Sequence, residues 1–411
     1  MTSHPHGNAE RARPVADHAA AVAELLQSVR LAGRTETLPL SRALGRGLAH
    51  DVAAPLSLPP FANSQMDGYA VRSVDIPDGG ADLRVMPPVP AGSSPQPLAA
   101  GTAAPIMTGA MIPAGADAVV PIEKAVPDRF LEPGQDGRVT LPATARGTFV
   151  RAAGTDIAAG EWALAAGTCL GPAQLGLLAA FGMAEVEVHR AVAVLLVTTG
   201  DEVVAPGRPL PEGKIYDSNG TLLEAAMQQA GLVVRRAGVS SDNPAELLAL
   251  LRDQGQDVDL IVTTGGVSKG AYEVVRQAMA DQPVDFLHVA MQPGGPQGIG
   301  TFDGVPFLGF PGNPVSCLVS FEMFLRPALS AMLGAPAPRL PLRARLAQPL
   351  GSPGHKHQVR RGSLQPDGTV KLEGGEGSHL MHALARSNVL VHVPAGVTEL
   401  AAGDEVEVWM L

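Results

Sequence analysis

The chain has 411 residues, which is enough for about two to four domains. Its 40 acidic and 30 basic residues give a net charge of −10, which argues against a nucleic-acid-binding or membrane-binding surface. The high content of Gly (47) and Pro (37), with only 4% aromatic residues, favours a turn-rich protein with aliphatic cores over a helical bundle. Two distant cysteines, Cys169 and Cys317, indicate a reducing, cytoplasmic location without disulfides or structural zinc.

The N-terminal half begins with a polar segment. Residues 1–14 lack the apolar core of a signal peptide and predict a disordered tail. Apolar residues at helical spacing over 15–29 predict an amphipathic helix that ends before Gly33. From 48 to 146 short apolar runs alternate with Pro and Gly clusters, which is typical of a β-rich module. No apolar run is long enough to predict a membrane span.

Residues 189–334 show strands alternating with helices, which predicts a three-layer α/β domain with a mostly parallel sheet. Ser218 is the predicted N-cap of the first helix in this domain, and Asp242 or Asn243 that of the second. Further helices are predicted over 273–279 and from Pro314 onward. Residues 335–411 return to short alternating runs such as VLVHV and predict a small β domain.

Two loops that follow predicted strands carry residues suited to phosphate and metal binding. The loop TTGDE presents Asp201 and Glu202, which are either Mg²⁺ ligands or the tip of a solvated turn. The loop TTGGVS places successive N–H groups towards one point, which suits either an anion site or an ordinary turn. Its candidate binding residues are Gly265, Gly266, Ser268 and the following Lys269.

A third loop, PGNPVS, comprises Pro311, Gly312, Asn313, Pro314, Val315 and Ser316. Asn313 and Pro314 suit the start of a helix, whose free N–H groups attract anions, although a helix start alone explains them. Carboxyl ends of parallel strands meet at one edge of a sheet. The three loops together therefore predict one site for a phosphate-bearing ligand with a divalent metal.

The segments NSQMDGYAV, IMTGA, TTGDE, TTGGVS, PGNPVS and RGSL…GSH, in this order, resemble the molybdopterin molybdenumtransferase family, which includes the C-terminal domain of gephyrin. The resemblance extends from about residue 17 to the C-terminus, and MDGYA combined with PGNPVS is its most specific part. It implies that adenylylated molybdopterin and molybdate react with Mg²⁺ to release AMP and molybdenum cofactor. It also implies a homodimer, with molybdopterin adenylyltransferase as a candidate partner.

The family architecture implies four domains in addition to the tail. They are a segmented linker and dimer domain at 15–47 and 147–188, the inserted β-rich domain at 48–146, the α/β molybdopterin-binding domain at 189–334, and a C-terminal, small β-barrel-like domain at 335–411. The active cleft is implied to lie between the α/β domain of one subunit and the inserted domain of the other.

The resemblance also assigns roles to residues of this chain. The implied catalytic residues are Asp67, Thr108, Asp156, Glu202 and Glu273. The implied substrate-binding residues are Gly265, Gly266, Ser268, Lys269, Pro311, Gly312, Asn313 and Pro314. The implied molybdate residues are Gln292, Ser316, Arg361 and Ser378, and the metal ligands are Asp201 and Glu202.

This chain departs from the family pattern in the molybdate pocket. The family's KPGKP is QPGGP here, so Gln292 and Gly295 replace two lysines, and GGVSVGDYD is GGVSKGAYE. We expect lysines at positions 292 and 295 to tighten molybdate binding unless Lys269 or an arginine compensates. The departures keep open a catalytically weak scaffold or cofactor carrier as an alternative. Molybdopterin adenylyltransferase is a weaker alternative, because that enzyme needs neither the inserted nor the C-terminal β domain.

Overall fold

A computed structural model describes residues 12–28, 34–131, 137–268 and 273–411, with only the backbone at 238–240. The chain divides into two units, and each is described by itself. The first unit comprises Met1–His50, Ala166–Leu175 and Glu185–Leu411, and the second comprises Asp51–Ala165 and Gly176–Ala184. Residues 1–11 of the predicted tail lie outside the described residues. The four domain boundaries expected from the sequence stay a prediction.

The first unit begins with helix α1 (Val15–Ser28), as its apolar spacing predicts. Val22 and Leu26 are fully buried in the core of the α/β region. The predicted end of this helix, from residue 29 to Gly33, lies outside the described residues. Strand β1 (Thr35–Pro39) and a 3₁₀ turn (Leu40–Arg42) follow.

The second unit is built from short strands, which confirms the β-rich module predicted there. Its strands are β2 (Val52–Ala53), β3 (Asn63–Ser64), β4 (Gly68–Val71), β5 (Ala81–Val85), β6 (Thr102–Ile106), β7 (Ala118–Pro121), β8 (Arg138–Leu141), β9 (Val150–Arg151) and β10 (Trp162–Leu164), with 3₁₀ turns at Ser73–Asp75 and Ile122–Lys124. Five of them form a sheet in the order β7-β4-β6-β5-β8. Gly68 opens β4, and a Cβ there would lie 2.0 Å from the Val120 carbonyl oxygen, so this pairing with β7 requires glycine.

Helix α2 (Pro172–Ala180) and strand β11 (Glu185–His189) lead back into the first unit. β11 pairs with β1 in antiparallel register, from Thr35 opposite His189 to Pro39 opposite Glu185. Two segments separated by more than a hundred residues therefore share one small sheet, which is the segmented arrangement that the fold prediction contains.

The central part of the first unit is a six-stranded sheet covered by helices. Its elements are β12 (Ala193–Thr199), β13 (Val203–Val204), β14 (Ile215–Tyr216), α3 (Ser218–Gln229), β15 (Val233–Ser240), α4 (Pro244–Gln254), β16 (Leu260–Thr264), α5 (Val274–Ala278), β17 (Val284–His288), β18 (Met291–Gln292), β19 (Pro296–Phe302), β20 (Val305–Phe310), α6 (Pro314–Ser320), a π-helical segment (Phe321–Leu325) and α7 (Arg326–Leu333). The sheet order is β15-β12-β16-β20-β19-β17. The first four strands are parallel to one another, and β19 alone runs against them, antiparallel to both β20 and β17, which confirms a mostly parallel sheet.

Alternate residues of β12 explain why this sheet forms three layers. Val194 and Leu196 lie in a core with residues of α1, α3 and α6, whereas Leu195 and Val197 lie in a second core with residues of α4 and α5. Side chains of a strand alternate between its two faces. A continuous apolar strand is therefore buried on both sides, as the sequence predicts.

Local details correct the sequence analysis at two places. Ser218 is the first residue of α3 and not its cap: Asp217 is the N-cap, and its carboxylate accepts a hydrogen bond from the Gly220 N–H at 2.8 Å. Strand β19 was not predicted, because its two glycines interrupt the apolar pattern. One of them, Gly300, packs so closely that a Cβ would lie 2.0 Å from the Pro283 carbonyl oxygen.

The C-terminal part of the first unit is a small closed barrel. Its elements are β21 (Pro341–Leu346), β22 (Leu350–Gly351), β23 (His357–Leu364), β24 (Thr369–Leu372), α8 (Met381–Ala385), β25 (Val389–Val393), β26 (Glu399–Leu400) and β27 (Glu405–Met410). Five strands pair in the order β23-β24-β21-β27-β25, and β25 pairs with β23 to close the ring. Full closure removes exposed strand edges and confirms the barrel-like C-terminal fold.

The helix Pro314–Leu333 is the one described helix that is long and apolar enough to cross a membrane, with a mean hydropathy of 1.3. Within this structure 78% of that window is buried, so it packs as a core helix. It also carries a buried ion cluster. Glu322 is fully buried, lies 3.0 Å from Arg326 Nε, and receives two hydrogen bonds from Arg339 at 2.7 and 2.8 Å.

We predict that Glu322→Ala lowers the free energy of unfolding of the first unit by about 3–5 kcal/mol, because it leaves the buried guanidinium group of Arg326 and the half-buried one of Arg339 without their carboxylate. Arg252→Ala is the control, since Arg252 forms an exposed ion pair with Asp303 at 3.8 Å. That variant is expected to change stability by less than about 1 kcal/mol. Urea unfolding followed by circular dichroism measures both, and equal effects of the two substitutions would contradict the prediction.

Candidate active-site cleft

The three loops singled out in the sequence surround one cleft of about 1000 Å³ in the first unit. Strands β12, β16 and β20 are parallel neighbours, so the loops that follow them leave the same edge of the sheet. The predicted site residues that line this cleft are Glu202, Gly265, Gly266, Ser268, Glu273, Gln292, Pro311, Gly312, Asn313, Pro314, Ser316 and Ser378.

Close backbone contacts explain the glycines of these loops. Gly265 has a φ of +94°, and a Cβ there would lie 2.9 Å from the Thr199 carbonyl oxygen at the end of β12. A Cβ at Gly312 would lie 3.4 Å from the Cα of Gly265. The loops after β12, β16 and β20 are therefore in mutual contact, and a side chain at position 265 would force them apart.

A buried polar cluster fixes the floor of the cleft. Asn219 Nδ2 donates to the Gly312 carbonyl oxygen at 2.6 Å and to Thr264 Oγ1 at 3.2 Å. Thr264 Oγ1 and Cys317 Sγ both donate to the Pro311 carbonyl oxygen, at 3.1 and 2.8 Å. Burial raises the pKa of Cys317 to about 12, so it acts here as a neutral hydrogen-bond donor. The sequence analysis missed Asn219, which it read only as part of a helix.

The acidic loop after β12 differs from the prediction. Glu202 lines the cleft, and its carboxylate folds against Gly200, where a Cβ would lie 2.7 Å from Oε2. Asp201 is not among the cleft-lining residues, because its Oδ1 accepts a hydrogen bond from the Asp242 N–H at 3.0 Å. Asp242 lines the cleft in its place, and its Oδ2 accepts from the Asp201 N–H at 3.2 Å.

The loop after β16 is organised by a carboxylate. Glu273 Oε2 accepts a hydrogen bond from the Ser268 N–H at 3.1 Å, and Oε1 accepts from the Ser268 hydroxyl. Both residues line the cleft. Lys269, which the sequence analysis offered as a cation for this site, lies outside the described residues.

The predicted molybdate residues fall into two groups. Gln292, Ser316 and Ser378 line the cleft, and the Ser378 carbonyl oxygen accepts a hydrogen bond from the Val315 N–H at 3.0 Å, which holds the segment around 378 against the start of α6. Arg361 lies behind the cleft, and its molybdate role stays a prediction. It is 1% exposed, does not line the cleft, and donates from Nη2 to the Gly375 carbonyl oxygen.

Position 295 lies against a histidine. A Cβ on Gly295 would lie 2.5 Å from both Cε1 and Nε2 of His288, which lines the same cleft, so a lysine there requires this exposed imidazole ring to move. The side chain of Gln292 contacts those of Gln358 and Glu376. Tighter molybdate binding with lysines at positions 292 and 295 stays a prediction. Lys356, a cleft-lining cation that the sequence analysis missed, lies in the loop before β23.

Acidic groups outnumber cations among the described residues that line the cleft. The carboxylates belong to Glu202, Asp217, Asp242, Glu273 and Glu376, and the one ammonium group to Lys356. Of these acids, Asp217 is paired with Arg236. No group of three or more potential His, Cys, Asp or Glu ligands occurs within the described ranges. A Mg²⁺ ion held by one or two carboxylates together with ligand phosphates fits this donor set, whereas an all-protein cage does not.

The remaining predicted residues lie in the second unit. Asp67 Oδ1 accepts hydrogen bonds from the Thr108 N–H at 2.7 Å and from its hydroxyl at 2.8 Å. These bonds lower the pKa of Asp67 and connect the start of β4 to the turn after β6. Asp156 is exposed in another loop, whose backbone is held by a 2.9 Å bond from the Asp156 N–H to the Leu58 carbonyl oxygen.

Comparisons with known proteins cover nearly the whole chain. Family models match the MoeA N-terminal region (domain I and II) at residues 14–182, a probable molybdopterin binding domain at 195–331, and the MoeA C-terminal region (domain IV) at 343–411. Molybdopterin molybdenumtransferase 2 of Mycobacterium tuberculosis is 44% identical, over 97% of this chain and 100% of the relative.

Two further relatives extend this similarity. Molybdopterin molybdenumtransferase of a Nostoc species is 35% identical over 92% of this chain and 89% of its own length. A crystal structure of a molybdopterin biosynthesis MoeA protein from Pyrococcus horikoshii is 31% identical, with a TM-score of 0.79 over 97% of this chain and 99% of that one.

We predict that Thr108→Val raises the pKa of Asp67, because the substitution removes the hydroxyl donor and keeps the N–H donor. Asp367 offers a matched control, since its carboxylate accepts the same two bonds from Thr369 and its pKa is lowered likewise. Carboxyl NMR titration is expected to show Asp67 alone shifting in Thr108→Val and Asp367 alone in Thr369→Val. An unchanged pKa of Asp67 in Thr108→Val would show that the Thr108 hydroxyl does not help to lower it.

Proposed function

The chain belongs to the molybdopterin molybdenumtransferase family, and we propose that it inserts molybdenum from molybdate into adenylylated molybdopterin with Mg²⁺-dependent release of AMP. The observation that carries this proposal is the cleft where the loops after β12, β16 and β20 meet. It combines carboxylates, hydroxyls and side-chain amides in one place. A nucleotide-linked pterin and an oxyanion need this combination.

The phosphate and pterin groups are assigned to the loops after β16 and β20. Gly265 and Gly266 adopt positive φ values and line the cleft. The Gly265 N–H donates to the Phe310 carbonyl oxygen at 3.1 Å, so the Gly266 N–H is the one assigned to a ligand. Asn313 occupies the N-cap position of α6 without a side-chain hydrogen bond to that helix, so its amide is available to a ligand. Ser268, held by Glu273, contributes a hydroxyl beside them.

Magnesium is assigned to the acidic side of the cleft, with Glu202 and the neighbouring Asp242 as its protein ligands. When bound, Mg²⁺ neutralises phosphate charge and stabilises the leaving phosphate of the anhydride. The chain's own contribution is to hold both carboxylates at one edge, through the reciprocal bonds between Asp201 and Asp242. A cleft with this excess of acids binds a phosphate ligand poorly without such an ion.

The oxyanion is assigned to the opposite side of the cleft, near Ser316, Ser378 and Gln292. Hydroxyl and amide groups donate hydrogen bonds to a tetrahedral dianion, and Lys356 supplies a positive charge. This assignment replaces the two family lysines by one lysine from the loop before β23. Arg361, being buried behind the segment at 374–375, supports that segment rather than the ligand.

The second unit is proposed to complete the cleft of a partner subunit in a homodimer. The support is the family resemblance, which assigns Asp67, Thr108 and Asp156 to that role, and the Asp67–Thr108 bonds, which hold one carboxylate ready at a loop tip. Molybdopterin adenylyltransferase is the proposed source of the adenylylated substrate. The two free thiols, Cys169 and Cys317, support a reducing compartment such as the cytoplasm.

The test of this function is incubation of the purified chain with adenylylated molybdopterin, molybdate and Mg²⁺, with AMP and molybdenum cofactor measured together. We expect equal amounts of both products. AMP release no greater than in the protein-free control would favour the carrier alternative, for which the uncharged positions 292 and 295 are the specific observation.

We predict that Glu202→Gln lowers AMP release at limiting Mg²⁺ by about a hundredfold and that excess Mg²⁺ restores part of it, because one charged ligand is lost. Glu212→Gln is the control: Glu212 is exposed and does not line the cleft. AMP release across a Mg²⁺ titration is the measurement. An unchanged Mg²⁺ dependence in Glu202→Gln would remove this residue from the metal site.

A mixing experiment tests the shared cleft. At limiting Mg²⁺ we predict that Asp67→Asn and Glu202→Gln each retain about a hundredth of wild-type activity or less, and that their co-expressed mixture recovers about a quarter of it, since half of the dimers are mixed and each has one intact site. Light scattering should give twice the chain mass. No recovery from a mixture shown to contain mixed dimers would place both residues in the same subunit's site.

A further inference from the structure

Glu376 is a carboxylate that the functional assignment leaves without a role. It lies in the segment between β24 and α8, lines the cleft, and is 50% exposed. Its Oε1 is 3.7 Å from Nη1 of Arg360, and its Oε2 accepts a hydrogen bond from Gln292 Nε2 at 3.4 Å. An acid therefore occupies two donors on the side of the cleft where an oxyanion is expected.

Residues of β23 hold the two donor groups, of Gln292 and Arg360, in place. Gln358 is fully buried on β23, and its Nε2 donates to Gln292 Oε1 at 3.4 Å, which turns the amide nitrogen of Gln292 towards Glu376. Arg360, two residues further along the strand, is 8% exposed, lies behind the cleft lining, and donates from Nη2 to the Gly374 carbonyl oxygen at 3.5 Å. The Arg360 guanidinium group and the Gln292 amide group thus both face the Glu376 carboxylate, and residues of β23 hold them there.

We propose that Glu376 is a built-in competitor of the oxyanion, and that molybdate binds by displacing this carboxylate from Arg360 and Gln292. The inference rests on the proposed function of the cleft and adds a residue that determines its affinity and selectivity. A tethered carboxylate competes at a high effective concentration. It also repels a dianion placed nearby. Only a ligand with more charge than a single carboxylate displaces it efficiently.

The test uses equilibrium dialysis of the full chain with molybdate alone. We expect Glu376→Gln to bind molybdate about tenfold more tightly than wild type, a change of about 1.4 kcal/mol. Glu376→Asp keeps the charge and is expected to remain within about twofold of wild type.

Glu373→Gln is the matched control. It removes the same charge three residues away, where the carboxylate pairs with Arg386 at 3.6 Å and does not line the cleft. We expect it to leave molybdate affinity unchanged. If Glu373→Gln and Glu376→Gln increase the affinity for molybdate equally, the effect is one of net charge alone, which would overturn the proposal.

A double-mutant cycle with Gln292→Ala tests the shared donors. If Glu376 and molybdate compete for the Gln292 amide, the gain from Glu376→Gln becomes smaller once that amide is removed. Full additivity would contradict the competition for that donor. Unchanged or weaker molybdate binding in Glu376→Gln alone would overturn the proposal. The carboxylate would then either have no effect on binding or hold Arg360 in position.

The dialysis contains no pterin, so its outcome is separate from that of the proposed function. Wild-type chain that binds molybdate but releases no AMP would contradict the transferase activity and leave the role of Glu376 testable. Conversely, a chain that turns over normally, with Glu376→Gln unaltered in molybdate affinity, would contradict only the role of Glu376.

Discussion

The parallel pairing of β12, β16 and β20 is the constraint on which the candidate site depends. It places three strand ends at one edge, and the loops that leave them touch through Gly265 and Gly312. Buried bonds from Asn219, Thr264 and Cys317 then fix the two glycine-rich loops to each other. Because these bonds lie beneath the cleft, the ligand-facing N–H and hydroxyl groups are positioned before any ligand arrives.

The charge of the cleft lining is a second constraint, and it opposes the binding of an anion. The cleft has the shape of an anion site, yet its described lining carries mostly carboxylates. Three of the five acids are restrained by other groups: Asp217 pairs with Arg236, Glu273 binds the Ser268 loop, and Glu376 faces Arg360. Glu202 and Asp242 are left as the two lining acids that the proposed function assigns to a metal.

Much of this fold could be predicted because the sequence patterns that specify it are local. Continuous apolar strands, helix caps and glycine-rich turns each occupy a few neighbouring residues, and they locate the parallel sheet and its loops. Family resemblance added the segmented linker and the barrel. The cap of α3 was misassigned by one residue, because the adjacent Asp217 and Ser218 both suit an N-cap. Strand β19 escaped prediction because it depends on distant contacts: it lies between β17 and β20.

The same reason explains the errors within the site. Asp201 and Asp242 are 41 residues apart, and only their reciprocal bonds decide which one reaches the cleft. Lys356 and Glu376 belong to the barrel region, which sequence patterns assign to another domain.

A short strand pairing joins the barrel to the α/β region. β18 runs parallel to β23, with Met291 opposite His357 and Gln292 opposite Gln358. This pairing fixes the segment that carries Gln292 against the strand that carries Gln358 and Arg360. The barrel region thus forms the wall of the cleft next to Gln292. Its closure keeps β23 from shifting in register, and a shift of one residue would turn Gln358 and Arg360 away from Gln292 and Glu376.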